Sequence, residues 1–363
     1  MRVFHVITTI ERGGAEKQLL ILVREQISLG YEVEIIYLKG KPELEKDFLE
    51  SGASVNHMLL GKNFLLQILS LRNYEKGKSG LFHAHLPRAE LLTALSLKKS
   101  VYVVSRHNSE PFMPGFPEFL SSFLSRSVTR YSSGVIVISH AVKNYILKRN
   151  EVSKNAQVEV ILYGAANVKN NQIQSFSRRQ FGISDSDFII GTIGRLVPQK
   201  DYPTLLNAFQ IFRTSHPNAK LIIVGGGPEE AKLKEFANQL DLNDAILWLG
   251  RVSNVEELMN LFDVFVLTSI YEGFGLVFLE AMAQGLPIVS TNHSSVPEVL
   301  GANYPLLAKV GDSQDVAEKI SHLLEEETRN QIREKLRDRL TLFNPTAMAK
   351  NIDSLYKRIL KEK

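Results

Sequence analysis

The sequence contains no cysteine, which excludes disulfides, thiolate metal sites and a thiol nucleophile. It also lacks an uninterrupted apolar run approaching the roughly 20 residues that span a bilayer. The apolar run 3–10 is short, contains His5 and is followed by Glu11 and Arg12, which is typical of a buried first strand and not of a signal sequence. These absences favour a cytoplasmic protein whose membrane contact is at most peripheral.

A large surplus of one charge is absent as well. The net charge is only +4 over 363 residues, which gives no support to a nucleic-acid partner. The distribution is nevertheless uneven, since residues 1–170 carry +7 and the remainder −3. A basic first half can attract an anionic partner such as a lipid headgroup or a diphosphate, but an unevenly solvated surface explains it equally well.

What is present is the composition of a globular protein, 44% hydrophobic and 23% charged, with a length that suits about two domains. Short β-rich runs alternate with stretches of helical period, which predicts α/β domains with doubly wound parallel sheets. The alternation of strand-like and helical segments weakens between Leu162 and Gly182, where we place a linker. The segment Asn344-Pro345-Thr346 favours the start of a new helix. The predicted strands are 3–8, 32–38, 81–84, 101–105 and 135–139, then 188–193, 220–224, 245–249 and 263–267.

The segment 271–287 is the most informative part of the chain. Gly273 and Gly275 allow a tight turn directly after a predicted strand, and a helix then runs from about Leu276 to Gly285. The amides and the dipole at the start of that helix favour an anion such as a diphosphate. Glu272 precedes the turn, and Glu280 lies inside a strongly apolar helix, which predicts a buried acceptor for sugar or ribose hydroxyls.

A second candidate segment, 191–201, follows the first strand of the second half, where open α/β sheets bind ligands. Arg195 can hold a phosphate through two parallel hydrogen bonds, and Lys200 adds a compact charge. Each cation taken alone is more often a surface charge. Together they could stabilise a departing diphosphate without a metal.

These two segments, with Gly13-Gly14-Ala15-Glu16 and 135–143, resemble the retaining glycosyltransferases of family 4 over nearly the whole chain. The resemblance implies the GT-B architecture, in which two Rossmann-like domains face each other across a cleft and a C-terminal helix crosses back to the first. We therefore expect an acceptor domain at 1–165, a donor domain at 166–343 and the crossing helix at 344–363.

The resemblance also implies a role for each matching residue. Glu280 would hold the ribose hydroxyls of the nucleotide, Glu272 the hydroxyls of the transferred sugar, and Arg195 with Lys200 the donor phosphates. His107 matches the family's active-site histidine, which would bind the transferred sugar or orient the acceptor. The backbone would contribute to donor binding at Gly14, Val252, Gly275, Leu276 and Val277.

Four features depart from the expected pattern or compete with it. Tyr163 stands where the family commonly has asparagine, and Ser294-Ser295 where it commonly has two glycines, so backbone placement there is open. Gly225-Gly226-Gly227 lacks the spacing of a dinucleotide site and is interpreted as a loop. His83 and His85 share a strand face and could bind a metal, but without an evident third ligand we favour a structural role.

The leading hypothesis is a metal-independent enzyme without a cofactor that transfers a sugar from a nucleotide diphosphate, expected to be UDP, to a hydroxyl with retention. The alternatives are a nucleotide-sugar epimerase on a similar frame and a non-catalytic nucleotide-sugar-binding protein. For the acceptor we expect a lipid-linked glycan of bacterial surface polysaccharide assembly. The stretches Val55–Leu71 and Pro111–Arg130, with Lys62, Arg72, Arg126 and Arg130, could rest on an anionic membrane, although core-facing helices explain them somewhat better.

Overall fold

The computed structural model describes residues 1–97, 99–165, 176–252 and 254–361. The chain divides into two compact units, one of Met1–Gly164 with Phe343–Lys363 and the other of Ala165–Leu342. The centre of the predicted linker, 166–175, lies outside the described residues. The final helix belongs to the first unit.

The first unit contains a seven-stranded sheet in which every pairing is parallel, with the order β3-β2-β1-β4-β5-β6-β7. All the strands predicted for this half are present, with ends that differ by one or two residues. The short strands β3 and β7 at the two edges were not predicted. The elements are β1 (Arg2–Ile7), α1 (Gly14–Ser28), β2 (Glu32–Tyr37), α2 (Glu45–Glu50), β3 (Ser54–Asn56), α3 (Phe64–Glu75), β4 (Leu81–His85), α4 (Pro87–Ser96), β5 (Val101–Arg106), α5 (Glu118–Tyr131), β6 (Gly134–Val137), α6 (His140–Lys148) and β7 (Val158–Val160).

The second unit contains a six-stranded parallel sheet with the order β10-β9-β8-β11-β12-β13. The four predicted strands are present, whereas β12 and β13 were missed. Its elements are β8 (Ile189–Ile193), α7 (Tyr202–Ser215), β9 (Lys220–Val224), α8 (Glu230–Gln239), β10 (Ile246–Gly250), α9 (Val255–Leu258), β11 (Val264–Leu267), α10 (Leu276–Ala283), β12 (Ile288–Thr291), α11 (Val296–Leu300), β13 (Leu307–Ala308), α12 (Ser313–Ser321) and α13 (Glu326–Leu340). Three-residue or four-residue 3-10 turns occupy Arg178–Phe181, Pro198–Lys200 and Met259–Leu261.

The last helix, α14 (Pro345–Lys361), completes the core of the first unit. Its buried side chains recur at helical spacing on one face, which packs against α1 and the sheet. Gly164 lies against this helix so closely that a Cβ there would be 2.5 Å from the Cα of Pro345. The buried residues of α14 are Pro345, Met348, Ala349, Ile352, Leu355, Tyr356 and Ile359.

Each sheet reverses its strand order at one point, between β1 and β4 in the first unit and between β8 and β11 in the second. The loops that leave the carboxyl ends of the strands on either side of such a point diverge and form a crevice, which is where open α/β sheets bind ligands. The predicted motifs follow β1 and β5 in the first sheet, and β8 and β11 in the second. The fold thus places the chemistry-bearing loops at ligand-binding edges.

The two stretches considered for membrane contact contain both buried and exposed apolar side chains. Leu59 and Leu71 are fully buried, and Val55 and Leu60 pack against the core. Several large apolar side chains on α3, on α5 and before α5 are nevertheless exposed: Leu65, Leu66, Leu69, Phe116, Phe119 and Phe123. Among the described residues, no helix is both long and apolar enough to cross a membrane.

Candidate active site

Two loops meet at the carboxyl edge of the second sheet, beside the reversal between β8 and β11. The backbone amide of Ile270 donates to the carbonyl of Gln199 over 2.8 Å, and the Gln199 side-chain amide donates to the carbonyl of Tyr271 over the same distance. Thr268 adds hydroxyl bonds to the carbonyls of Lys200 and Asp201. The loop after β8 and the loop after β11 are therefore fixed to each other.

This connection brings Lys200 and Glu272 together, although 72 positions separate them in the sequence. The ammonium Nζ of Lys200 lies 2.5 Å from Oε1 of Glu272, and both side chains are largely buried. Ser269 donates a second hydrogen bond to the same carboxylate oxygen over 2.7 Å. The expected phosphate-binding cation and the expected sugar-binding carboxylate thus form one ion pair at the sheet edge.

Arg195, the other predicted cation, is exposed just after β8. Its loop lies against the triple-glycine segment. A Cβ on Gly225 would be 1.9 Å from the carbonyl oxygen of Gly194, and one on Gly227 would be 2.3 Å from that of Leu196. The glycines therefore permit two backbones to touch, in agreement with the loop interpretation.

Ser294 and Ser295 hold the peptide of Glu272. The amide of Glu272 donates to Oγ of Ser294 over 3.0 Å, and both serine hydroxyls donate to its carbonyl, over 2.9 and 3.1 Å. Ser294 adopts a positive φ of 34°, a conformation that favours glycine. The sequence marked this pair only as a departure from the family, and only the fold shows that the hydroxyls orient the Glu272 loop.

His293, next to these serines, was not predicted as part of the site. Its Nδ1 lies 2.9 Å from Oγ of Ser294, while Nε2 is buried without a hydrogen-bond partner among the described residues. Burial lowers the pKa of this ring to about 4, against the opposing influence of Glu272. A neutral imidazole therefore lies beside the Lys200–Glu272 pair.

Gly275 caps the start of α10 in the left-handed conformation, with φ of 82°. A Cβ there would also be 2.5 Å from the ring of Phe278, so glycine is required on two grounds. Leu276 and Val277 open the helix, and amides at these positions have no acceptor inside it. The predicted helix start is thus present, and its binding of an anion stays a prediction.

Glu280 is half-buried, whereas the sequence predicted a buried carboxylate. It lies on the side of α10 that reaches solvent, because the buried positions of this helix are Phe278, Leu279, Ala281 and Met282. The carboxylate is therefore partly accessible to solvent. Val252 is half-buried just after β10, on the same carboxyl edge of the sheet.

In the first unit, Gly14 opens α1 after β1, and a Cβ there would meet no atom within 4 Å. The space above this position is what a closely approaching phosphate requires. The neighbouring Gly13 differs, since a Cβ there would be 2.3 Å from a carboxylate oxygen of Glu16.

His107 follows β5 and is half-buried, and both of its ring nitrogens have partners. Nε2 lies 3.1 Å from Nδ1 of His85, and Nδ1 makes a short hydrogen bond with the hydroxyl of Tyr163. Burial lowers the pKa of His107 to about 3, and nearby Arg106 acts in the same direction. The predicted active-site histidine is therefore neutral and already hydrogen-bonded on both sides.

The structure corrects one premise of the sequence interpretation, because His83 and His85 do have a third histidine beside them. His5, on the neighbouring strand β1, brings a ring nitrogen within 4.8 Å of theirs, and all three rings are buried. Their nitrogens already bond to protein groups: His5 to His85 and Gln26, and His83 to Tyr356 and Ser105. This arrangement favours a hydrogen-bonded cluster, as the sequence interpretation preferred.

Comparison with known proteins identifies this architecture. Residues 12–165 match the model of the family described as Glycosyltransferase Family 4, and residues 173–339 match that of Glycosyl transferases group 1. The chain is a family 4 glycosyltransferase. Its sheets and its fold neighbours identify a two-domain GT-B fold.

Several relatives of this glycosyltransferase are known. It is 24% identical over 388 residues to the capsular polysaccharide biosynthesis glycosyltransferase CapM of Staphylococcus aureus, covering 99% of this chain and 98% of that one. It is 27% identical over 290 residues to the N-acetyl-alpha-D-glucosaminyl L-malate synthase of Bacillus anthracis, covering 78% and 75%. The structure of Anabaena HepE in complex with UDP and glucose has a TM-score of 0.82 at 19% identity, with 98% of both chains covered.

The glycosyltransferase carries one further buried charge cluster, next to His107. The guanidinium of Arg106 lies 2.8 Å from Glu90 and 3.9 Å from Glu151, and its carbon atom is 4.4 Å from the centre of the Phe112 ring. Burial raises the pKa of Glu90 to about 7, although Arg106 opposes that shift. These residues anchor the strand end that carries His107.

Proposed function

We propose that this glycosyltransferase transfers a sugar from a UDP-sugar to a hydroxyl of a lipid-linked glycan during assembly of a bacterial surface polysaccharide. The observation that carries the proposal is the Lys200–Glu272 pair at the sheet edge where the loop of Arg195 and the start of α10 also lie. Two cations and a helix start suit a diphosphate, and a neighbouring carboxylate suits sugar hydroxyls. HepE, which has a similar fold, was solved with UDP and glucose, and CapM acts in capsular polysaccharide biosynthesis.

The assignments within this edge follow from charge and position. Arg195 and Lys200 stabilise the diphosphate, with the amides of Gly275, Leu276 and Val277. The role of Gly14, which belongs to the first unit, is proposed from the family resemblance alone. Glu272 accepts hydrogen bonds from the transferred sugar, Glu280 from the ribose, and the backbone at Val252 contacts the base. Since the diphosphate competes with Glu272 for Lys200, donor binding releases that carboxylate for the sugar.

The proposed reaction retains the configuration at the anomeric carbon. The bond from that carbon to the diphosphate oxygen breaks, and a bond to the acceptor oxygen forms on the same face. The acceptor proton passes to the departing phosphate oxygen. In this route the protein supplies electrostatic stabilisation and orientation, with the cation pair in the role that a metal would otherwise have.

The acceptor assignment is supported by the exposed apolar side chains around α3 and α5. Phe119 is 75% exposed, Leu65 66% and Phe123 59%. The exposed bases Arg126 and Arg130 lie on α5 as well. Aromatic and aliphatic side chains beside arginines suit an anionic bilayer surface, which is where a lipid-linked acceptor resides.

The test is a panel of UDP-sugars and GDP-sugars incubated with polyprenyl-diphosphate-linked acceptors and followed by mass spectrometry. We expect a mass increase of one sugar with a UDP donor, an unchanged rate in EDTA, and retained anomeric configuration in the proton NMR spectrum of the product. Isomerised donor in a reaction without acceptor would indicate an epimerase instead. Donor binding without turnover across the whole panel would indicate a binding protein, and loss of activity in EDTA that a divalent ion restores would overturn the metal-free assignment.

A further inference from the structure

The first unit contains a continuous chain of side-chain hydrogen bonds that runs from its core to the candidate active site. We name it the histidine ladder and define it as Gln26, His5, His85, His107 and Tyr163. Oε1 of Gln26 lies 2.8 Å from Nε2 of His5, and Nδ1 of His5 lies 2.9 Å from Nε2 of His85. The bonds from His85 to His107 and from His107 to Tyr163 complete it.

The ladder joins distant parts of the sequence because it crosses neighbouring strands diagonally: His5 is opposite His83, two residues before His85, and His85 is opposite Ser105, two residues before His107. His5 and His85 lie on the adjacent strands β1 and β4, and His107 follows β5, the next strand in the sheet. Gln26 comes from α1, whose inner face covers the sheet, with its side chain buried. The inner end of the ladder is therefore fixed by a helix.

Each imidazole of the ladder is neutral, because burial lowers the pKa of His5 to about 4, that of His107 to about 3, and that of His85 well below its usual value. A neutral imidazole has one N–H donor and one bare nitrogen acceptor. Once the direction of one bond is set, every other bond in the chain must run the same way. The ladder therefore has only two possible states, which differ in the tautomer of all three rings.

The group at the inner end selects between these two states. Gln26 presents its carbonyl oxygen, which can only accept, so His5 donates from Nε2. His5 then accepts at Nδ1 from His85 Nε2, and His85 accepts at Nδ1 from His107 Nε2. His107 is left with a bare Nδ1, which accepts from the hydroxyl of Tyr163.

A second hydrogen-bonded branch lies beside the ladder. The Tyr356 hydroxyl lies 2.5 Å from Nδ1 of His83, and Nε2 of that ring lies 2.7 Å from Oγ of Ser105. Gln26 presents its oxygen to His5, while its amide nitrogen has no hydrogen-bond partner among the described residues.

We propose that Gln26 is a positioning residue that fixes His107 as the Nε2–H tautomer through His5 and His85. In this state Nδ1 of His107 is an acceptor for a hydroxyl. Tyr163 supplies that hydroxyl in the structure, and a hydroxyl of the sugar or the acceptor replaces it during the reaction. The last step rests on the proposed function, whereas the tautomer assignment does not.

A cavity lies beside the outer end of the ladder. His107 and Tyr163 both line it, with Gln18, Ser105 and Met348 among the other lining residues.

The test is nitrogen-15 NMR of protein labelled at the histidine rings, with His107 assigned by comparison with H107Q. We expect a protonated Nε2 and a bare Nδ1 for His107 in the wild type. Gln26→Met removes the acceptor at the inner end, so we expect a mixture of both tautomers and a decrease in kcat of at least about tenfold, with the KM for the donor nearly unchanged. Gln67→Met is the matched control, since Gln67 is equally buried but donates to the carbonyls of Leu38 and Leu59 outside the ladder.

Tyr163→Phe tests whether the inner or the outer end of the ladder sets the direction of its hydrogen bonds. We expect this variant to keep the Nε2–H tautomer of His107, because the direction is set at Gln26. A protonated Nδ1 in the wild type, an unchanged tautomer in Q26M, or a tautomer that changes in Y163F would each overturn the proposal. Stoichiometric zinc retained on the histidine nitrogens of the dialysed wild type would overturn it as well.

These spectra do not depend on sugar transfer, so they separate the two proposals. If no donor in the panel is turned over but the spectra are as expected, the proposed function fails and the ladder assignment stands. If transfer occurs but Q26M leaves the tautomer unchanged, the ladder assignment alone fails.

Discussion

The ammonium of Lys200 and the carboxylate of Glu272 form a 2.5 Å ion pair at the point where the strand order of the second sheet reverses. In GT-B glycosyltransferases this is the edge at which we expect the diphosphate and the sugar of the donor. The pair holds both groups in place. It also neutralises the charge of each group until the diphosphate of the donor binds Lys200. The roles of the two side chains can therefore be tested by separate substitutions.

Lys200→Met is expected to weaken UDP binding and to lower the transfer rate by about 100-fold or more, because a preorganised charge on the leaving group is lost. Glu272→Gln is expected to leave UDP affinity within a fewfold of the wild type while the transfer rate falls, since its proposed contact is with the sugar. Calorimetric UDP titration and a transfer assay measure the two effects. Lys234→Met is the control, because Lys234 pairs with Glu230 over 2.7 Å on the exposed face of α8. Full transfer by K200M would contradict the assignment.

Gly14 and Gly275 should respond differently to alanine. Gly14→Ala fills open space at the start of a helix, so we expect an unchanged or slightly higher melting temperature and a strong loss of transfer, because the methyl group occupies the proposed phosphate position. Gly275→Ala combines a positive φ with a clash against Phe278, so both stability and transfer should fall. Thermal unfolding and transfer assays of both variants decide this. An active G14A would remove Gly14 from the donor site.

The sequence predicted most of the fold because parallel strands buried on both faces have a strong hydrophobic signal. It missed β3, β7 and β13, which have only two or three residues, and β12, which has four. It found Lys200 and Glu272 as separate candidates, but their pairing depends on how two loops meet. The histidine ladder was beyond sequence reasoning for the same reason, since its bonds join residues 21 to 80 positions apart.

Acid should destabilise the first unit through its buried histidines. The pKa of His5 falls from 6.5 to about 4 on folding, so the unfolded chain binds a proton that the native state rejects. The resulting stability is fully present well above pH 6.5 and is lost as the pH falls towards 4, by on the order of 3 kcal/mol for this ring alone. His83, His85 and His107 act in the same direction. Urea unfolding at pH 7.5, 6 and 5 should show this slope.

His5→Asn is expected to reduce that pH slope by about one proton where it folds, because one titrating group is removed. The exposed His322 provides the control, and H322Q should keep the slope of the wild type. A free energy of unfolding that is flat between pH 7.5 and 5 in the wild type would contradict the prediction.

Glu90 should contribute a pH dependence of the opposite sign. Its pKa rises to about 7 on folding, so the native state keeps a proton that the unfolded chain has released. The contribution of Glu90 to the free energy of unfolding is therefore smallest above pH 7. This contribution grows as the pH falls from 7 to 4.5. Relative to E90Q, the wild type should lose on the order of 3 kcal/mol between pH 4.5 and pH 7. The exposed Glu118 serves as the control, and equal curves for the wild type and E90Q would refute the shift.

The four histidines should outweigh Glu90 in the wild type, because burial lowers the pKa of all four and they are more numerous. At pH 6.5 about half of the histidines in the unfolded chain still carry a proton, so their contribution continues to grow above that pH. The net stability should therefore rise with pH and level off above about pH 7.5.

The exposed aromatic side chains of α5 predict reversible binding to anionic vesicles. The wild type should float with vesicles that contain phosphatidylglycerol and remain unbound with neutral phosphatidylcholine vesicles, more weakly as salt increases. Replacing Phe119 and Phe123 together by serine should lower the bound fraction at least about tenfold, because each ring contributes roughly 1.5–3 kcal/mol when buried. Leu342→Ser is the control, since Leu342 is 60% exposed in the other unit. If the double variant floats like the wild type, α5 is not the membrane-binding surface, and the lipid-linked acceptor then loses its structural support.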